Sequence, residues 1–565
     1  MGMRVRVALL VCVVAVSAAL ANPQEERASP ASPVAQATRP EHPEDEAAGT
    51  FAALHEKPGA DARQQIAQML GALDAAGLHN LGTVALGDLL QEGAAEVRSA
   101  AAQELSKRAA NGGVGLALLL RAPAAGLPSA TAVKLARAHL ERALVVAPPE
   151  EGSSFAPMQG RGAEPTPVAA TDAAPAPQTI SRAQKLAASE LALSRILAAS
   201  VPAGDAAEGD ARETEALAAL AAGDVDAAQA AFEAVVKIPV KGDEASARHE
   251  RAVLQLARLA YARGEDARAQ AWYSKISRAA PEWLDALFES SWSHFRNGDD
   301  DKALGNLLTL HAPFFQGRYY PESYVLKALV LYENCRYPEA RRTLREFEVR
   351  YRPLHDGLAG ALAQIPTAQA AVESLSGRGG LAAIPEAARD EVARVISAPE
   401  LKTGFGQIAQ IAQELDSIDR RPSFQRTVLA RAAVPKLREA RLDLLQSVGE
   451  RVRSRLSLER GELRELLGQG LRLDFEIAGR EKEIAEAPDG TAAPVAQHRT
   501  PPTVDEDEEL WPFEGEYWRD ELGSYRYQLG EKCAKPRPPP AKPVRTAATS
   551  VAPDAVATPG TAALR

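Results

Sequence analysis

Large side chains are scarce in this sequence. Five tryptophans, eleven tyrosines and twelve phenylalanines are spread over 565 residues, with four methionines and three cysteines. Alanine supplies much of the apolar share, and alanine buries little area. A core built around bulky rings is therefore excluded, and cores must come from many closely packed helices. β-Branched runs are also rare, while alanine is the best helix former, so the chain reads as all-α. An excess of positive charge is lacking too. The formal net charge is −10, which argues against nucleic acid or anionic lipid as partner. Cys12, Cys335 and Cys533 are too few and too widely spaced for a disulfide framework. Neither Cys335 nor Cys533 has a Cys or His neighbour at ligand spacing, so no metal site is expected.

Motifs that carry chemistry are missing as well. The nine histidines form no HExxH, and there is no GxSxG or local Cys–His pairing. The run Asn111-Gly112-Gly113-Val114-Gly115 follows a helical pattern and lacks the Lys-Ser/Thr of a P-loop. It reads as an interhelix turn. The arginines between Arg336 and Arg352 interleave with Glu339, Glu346 and Glu348, which suits ion pairs along a helix. No catalytic, cofactor-binding or metal-binding residue can be singled out, and the chain is expected to be a non-enzyme.

Long apolar runs occur only at the start. MGMRVRVALLVCVVAVSAALA has basic Arg4 and Arg6, an apolar stretch from Val7 to Val16, and Ala19-Leu20-Ala21 as a cleavage site. Residues 1–21 thus read as a secretory signal peptide, too short for a membrane span, and the mature chain is expected to carry no transmembrane segment. Cys335 and Cys533 are the thiols left after cleavage. In an oxidising compartment they can pair or stay free.

Beyond the signal, composition divides the chain. Residues 22–48 read as a disordered leader, 49–147 as an N-terminal helical domain and 148–178 as a linker. In the second of these, Glu96 to Ala109 resembles a HEAT-type helix. Residues 179–353 carry the clearest periodicity. Gly223-Asp224 leads to Ala228 and Phe232, and Gly264-Glu265 to Ala269 and Tyr273. Gly298-Asp299 leads to Ala303 and Leu307, and Cys335-Arg336-Tyr337 to Ala340 and Leu344. In each unit a small residue lets two helices approach, and a large one fills the gap between units. Pro281 and Pro353 are expected to end their units. The turns lie 41, 34 and 37 residues apart, and the middle spacing is the tetratricopeptide (TPR) period. The stretch resembles a TPR array with irregular connections.

Residues 354–421 read as a helical extension and 422–487 as a long amphipathic, coiled-coil-like helix. Leu442, Leu445, Val452, Leu456, Leu463, Leu466, Leu473, Ile477 and Ile484 fall on its seam. Gly449, Glu459, Gly470 and Arg480 interrupt it. The interruptions argue for a helix lying along the array or pairing weakly with a partner. An acidic linker (488–509), an aromatic segment (510–533) and a disordered Pro/Ala-rich tail (534–565) complete the chain.

Two candidate binding surfaces follow. In the TPR register the groove receives Leu254, Arg258 and Tyr261, then Phe288, Trp292 and Phe295, then Val325, Leu329 and Tyr332. Phe288, Trp292 and Phe295 form one helical stripe. It is either an aromatic groove for an apolar peptide or helix, or a core covered by a later helix of the same chain. Coverage is favoured, because bare aromatic patches of that size are uncommon on monomers. His294 falls at an inward-packing position and reads as structural. The second candidate is a docking segment carrying Trp511, Phe513, Tyr517, Trp518, Tyr525 and Tyr527. Docking back onto the chain's own helices is preferred over docking on a partner.

The signal peptide, the irregular array, the long helix and the WPFEGEYWRDELGSYRYQLGEKC segment together resemble a known group. They look like periplasmic TPR proteins of the myxobacterial adventurous gliding-motility (Glt) envelope complex. The resemblance implies a periplasmic scaffold or adaptor that binds outer-membrane and periplasmic proteins of a trans-envelope machine. The other reading is a periplasmic TPR cofactor in cell-envelope or outer-membrane protein assembly.

Overall fold

A computed structural model describes residues 42–56, 61–109, 113–120, 127–146, 182–377, 379–486 and 515–529. The signal segment, the linker at 148–178, the acidic linker and the tail lie outside these residues. Twenty α-helices and no strand occur among the described residues, in a repeat-like packing.

The first helix, α1 (Pro43–Glu56), begins inside the stretch expected to be a disordered leader. Its first turn carries Glu44, Asp45 and Glu46, whose charges favour a helix N-terminus, and Ala47, Ala48 and Phe51 are buried. Helices α2 (Ala62–Ala75), α3 (His79–Glu92), α4 (Ala95–Ala109) and α5 (Gly113–Leu119) follow. Gly113 thus opens a helix, while Asn111 and Gly112 lie outside the described residues. Helices α6 (Ser129–Val146) and α7 (Arg182–Ala199) form an antiparallel pair.

The repeat array comprises four hairpins. These are α8 (Glu208–Ala221) with α9 (Val225–Lys237), α10 (Asp243–Ala262) with α11 (Asp266–Tyr273), α12 (Trp283–Asn297) with α13 (Asp300–Leu310), and α14 (Pro321–Glu333) with α15 (Tyr337–Gln364). Every turn residue aligned by sequence has a positive φ: Gly223 at 78°, Gly264 at 79°, Gly298 at 85° and Cys335 at 57°. Asp224 and Asp299 then cap the next helix by accepting from the amides of Ala227 and Lys302. Ala228, Ala269, Ala303 and Ala340 are fully buried, and Phe232, Tyr273, Leu307 and Leu344 are buried beside them. A larger side chain at any of those alanines would push its two helices apart.

One proline departs from expectation. Pro353 does not end its unit; α15 runs through it for 28 residues. The residue whose carbonyl loses its helical donor there, Val349, is 78% exposed, so water can satisfy it. Beyond α15 come α16 (Ala368–Leu375), α17 (Glu386–Ile396), α18 (Pro399–Asp419) and α19 (Pro422–Gln425). The long helix α20 (Val428–Glu486) follows, 59 residues in one piece. Its N-terminal part shares a core with the first helices, joining Phe51, Leu73 and Leu86 to Leu429, Ala433 and Leu437. The Glu414 carboxylate of α18 also accepts from the amides of Asn80 and Leu81, at 3.0 and 3.1 Å, at the start of α3. The N-terminal helices are therefore not packed as a separate body. Farther along, α20 lies against α14 and α15, where Leu463, Leu466, Leu473 and Ile477 are buried.

Candidate protein-binding surfaces

The nine groove residues lie inside the array, and most are buried. Leu254 packs with Ala269, Tyr273 and Ala286 of its own and the next unit. The Arg258 guanidinium meets the Glu289 carboxylate at 2.6 Å, and the Tyr273 hydroxyl donates to that carboxylate at 3.0 Å. Tyr261 lies under the Arg296 guanidinium, 4.0 Å from the ring centre, and burial pushes its hydroxyl pKa up. Phe288 meets Tyr320 with ring centres 5.8 Å apart, and Trp292 meets Phe295 edge-on at 6.1 Å. Behind Trp292 sits Glu322, whose carboxyl burial drives well above the usual range. Val325 shares a core with Leu456 and Leu463, and Leu329 with Leu473 and Ile477. Tyr332 meets Tyr337 and the Arg480 guanidinium. At the fourth unit, therefore, α20 packs over Val325 and Leu329. His294 is half-buried beside Asp299 at 3.1 Å, and burial lowers its pKa.

A seam of charge fastens α20 below this point. Glu459 pairs with Arg394 of α17 at 2.6 Å and with Arg455 at 2.8 Å. The Tyr319 hydroxyl reaches Glu462 at 3.5 Å. Burial raises the Glu459 carboxyl to about 8 and the Glu462 carboxyl to about 7. Glu391, bonded to Arg394, is held below its usual value despite its own burial. Arg341 reaches across to Asp474 and Glu481 of α20, while Arg336–Glu339 and Arg352–Glu348 pair along α15.

The docking segment is described from Gly515 to Leu529; Trp511 and Phe513 lie outside the described residues. This strap crosses α12 and α13 and ends at the start of α15. Backbone carries most of the attachment. The Tyr527 amide donates to the Asp301 carbonyl at 2.9 Å, and the Gly523 amide to the Thr309 hydroxyl at 2.9 Å. Lys302 Nζ donates to the Gly523 carbonyl at 2.8 Å, and Arg278 to the Asp520 carbonyl at 2.7 Å. The Leu529 amide donates to Asp301 at 3.3 Å, and Arg336 donates to the Leu529 carbonyl. Gly305 makes this approach possible: a Cβ there would stand 1.9 Å from the Tyr525 carbonyl oxygen.

Side chains divide between buried leucines and partly exposed rings. Leu522 and Leu529 are buried, at 6% and 2% exposure, whereas Trp518 is 43% exposed. Tyr517 is half-buried, which raises its hydroxyl pKa. The Tyr525 hydroxyl accepts from the Trp518 amide at 3.0 Å, and the Tyr527 hydroxyl donates to Glu339 at 3.3 Å. The two leucines were missed by reasoning that weighed aromatic rings alone. Their signal was an aliphatic residue seven positions from another inside an otherwise polar and aromatic run.

A cavity of about 870 Å³ lies between α3, α5, α6, α18 and α20. Leu90, Leu140, Leu144 and Leu444 line it, and its cations are paired, Arg137 with Asp210, Arg451 with Glu141 and Lys436 with Asp88. Among the described residues no cluster of three or more His, Cys, Asp or Glu is placed to hold a metal ion. No helix among them is long and apolar enough to cross a membrane. No family model matches the chain, and no curated protein matches it.

Proposed function

We propose that this chain is a non-enzymatic scaffold that binds other proteins of the cell envelope. In this reading it is exported to the periplasm and joins outer-membrane and periplasmic components, as a part of a gliding-motility machine. The observation that supports a binding role is the array itself. Stacked helical hairpins present long surfaces, and such arrays usually serve as binding platforms. The periplasmic setting and the motility role rest on the N-terminal pattern and on the resemblance of the C-terminal segment.

The test is an affinity pull-down from native envelope extract, comparing the intact chain with one lacking residues 505–533, each with its melting curve. Capture of outer-membrane and periplasmic proteins by the intact chain supports the scaffold reading, and capture of nothing from the envelope overturns it. Gene deletion separates the two envelope roles. Loss of gliding with a normal outer-membrane profile supports the adaptor, and a general envelope defect supports the assembly cofactor.

A further inference from the structure

The fourth turn of the array differs from the other three. Glycine takes the left-handed position at Gly223, Gly264 and Gly298, and Cys335 takes it at the fourth, the single non-glycine residue with positive φ among the described residues. An L side chain is disfavoured in that region by the crowding of its Cβ, so glycine is the undemanding choice there. A cysteine held where the other repeats use glycine points to use of its side chain. Cys335 is indeed disulfide-bonded.

Its partner is one of two residues, since the chain has only Cys12 and Cys533 besides. The strap ends beside it: Arg336, the next residue, donates to the Leu529 carbonyl, and the Leu529 amide donates to Asp301. Three residues, Gly530, Glu531 and Lys532, separate Leu529 from Cys533. Four residue steps span about 14 Å at most, so Cys533 is tethered within reach of Cys335. Cys533 itself lies outside the described residues.

We infer that Cys335 is bonded to Cys533, and that this bond latches the strap onto its seat over α12 and α13. The two thiols lose two protons and two electrons as the sulfur–sulfur bond forms, and a disulfide of the oxidoreductase or glutathione class accepts them and leaves as two thiols. Persistence of the bond in the cell rests on the proposed export to an oxidising compartment. The pairing itself does not.

The first test takes the purified full chain, oxidises it with oxidised glutathione, alkylates free thiols, and digests it without reduction for mass spectrometry. The expected product joins the Cys335 peptide to the Cys533 peptide. Cys335 joined to Cys12, or capped by glutathione while Cys533 is free, overturns the pairing. A failure of the export reading registers separately, as chain found in the cytoplasmic fraction. The second test follows hydrogen exchange at the strap amides of Gly523 and Tyr527. Cys533→Ser and Cys335→Gly, the latter suited to the left-handed turn, are each expected to exchange at least tenfold faster there than the oxidised chain. Helices α8 to α11 are expected to exchange unchanged in both. Strap protection as strong in either variant as in the oxidised chain overturns the latch.

Discussion

Two segments lie across the repeat array, and they hold to it by different physics. The long helix α20 attaches through side chains, with Leu463 and Ile477 fully buried and Glu459 paired across to α17. The strap attaches mainly through its backbone, by bonds at Asp520, Gly523, Tyr527 and Leu529, over a helix stripped to glycine at Gly305. Side-chain burial couples α20 to the cores beneath it, so loosening the helix loosens the array. Main-chain bonds on an outer surface can open locally. One is a structural member and the other a surface cover whose main-chain bonds can open without unfolding the array.

Truncation of the helix seam tests the first half of that contrast and has the largest expected effect. Leu463→Ala removes a fully buried side chain from the core that also holds Val325 and Phe347. The expected loss is about 2–5 kcal/mol, read as a lower urea midpoint of the whole helical signal. An unfolding free energy within about 0.5 kcal/mol of the parent would show that α20 is no more coupled to the array than a surface helix.

The charged seam adds a pH dependence to the attachment of α20. Glu462 and Glu459 are raised to about 7 and about 8, above the roughly 4.3 of an unfolded chain. A carboxyl raised by folding favours its neutral form. Its contribution is complete below the unfolded value and is lost as pH climbs through the folded one. Stability is therefore expected to fall between pH 5 and pH 9, by on the order of 3 kcal/mol for the Glu462 contribution, and the melting temperature falls with it. Glu391, shifted the other way, acts only at acidic pH and leaves that window untouched. In Glu462→Gln the slope should flatten. A variant that keeps the full slope would assign the pH response elsewhere.

This contrast also explains what could be read in the sequence. Turn glycines and the buried alanines after them were legible because close helix packing dictates residue size at fixed offsets, and all four alanines are fully buried. The seam of α20 was legible for the same reason, though Leu442 is 60% exposed. Its interruptions, which argued for a helix lying along the array or pairing weakly with a partner, fall where α20 meets several helices in turn, whereas a heptad template assumes one parallel groove. Gly449 admits the Ala368 backbone, whose oxygen would stand 2.1 Å from a Cβ. Gly470 faces Leu344 and Phe347, and Glu459 binds Arg394. What resembled flaws in a coiled coil are contact points with different partners. The strap's path was illegible because main-chain bonds place few demands on side chains. The rings marked the segment as ordered without showing where it lies.

The smallest global effect is expected at the strap's seat, and it separates the two modes of attachment most cleanly. Gly305 sits within α13, where alanine is the better helix former by about 1 kcal/mol. The added methyl group would stand 1.9 Å from the Tyr525 carbonyl, a backbone atom that cannot swing aside as a flexible side chain can. Gly305→Ala should therefore lift the strap while leaving the array intact. The unfolding free energy is expected to change by less than about 1 kcal/mol, because the gain in helix propensity offsets the lost strap contacts. Amide exchange at Gly523 and Tyr527 should accelerate at least tenfold. If those amides stay protected, the strap does not bear on α13. If the midpoint falls as far as in Leu463→Ala, the strap is a structural member like α20, and the distinction between the two covers fails.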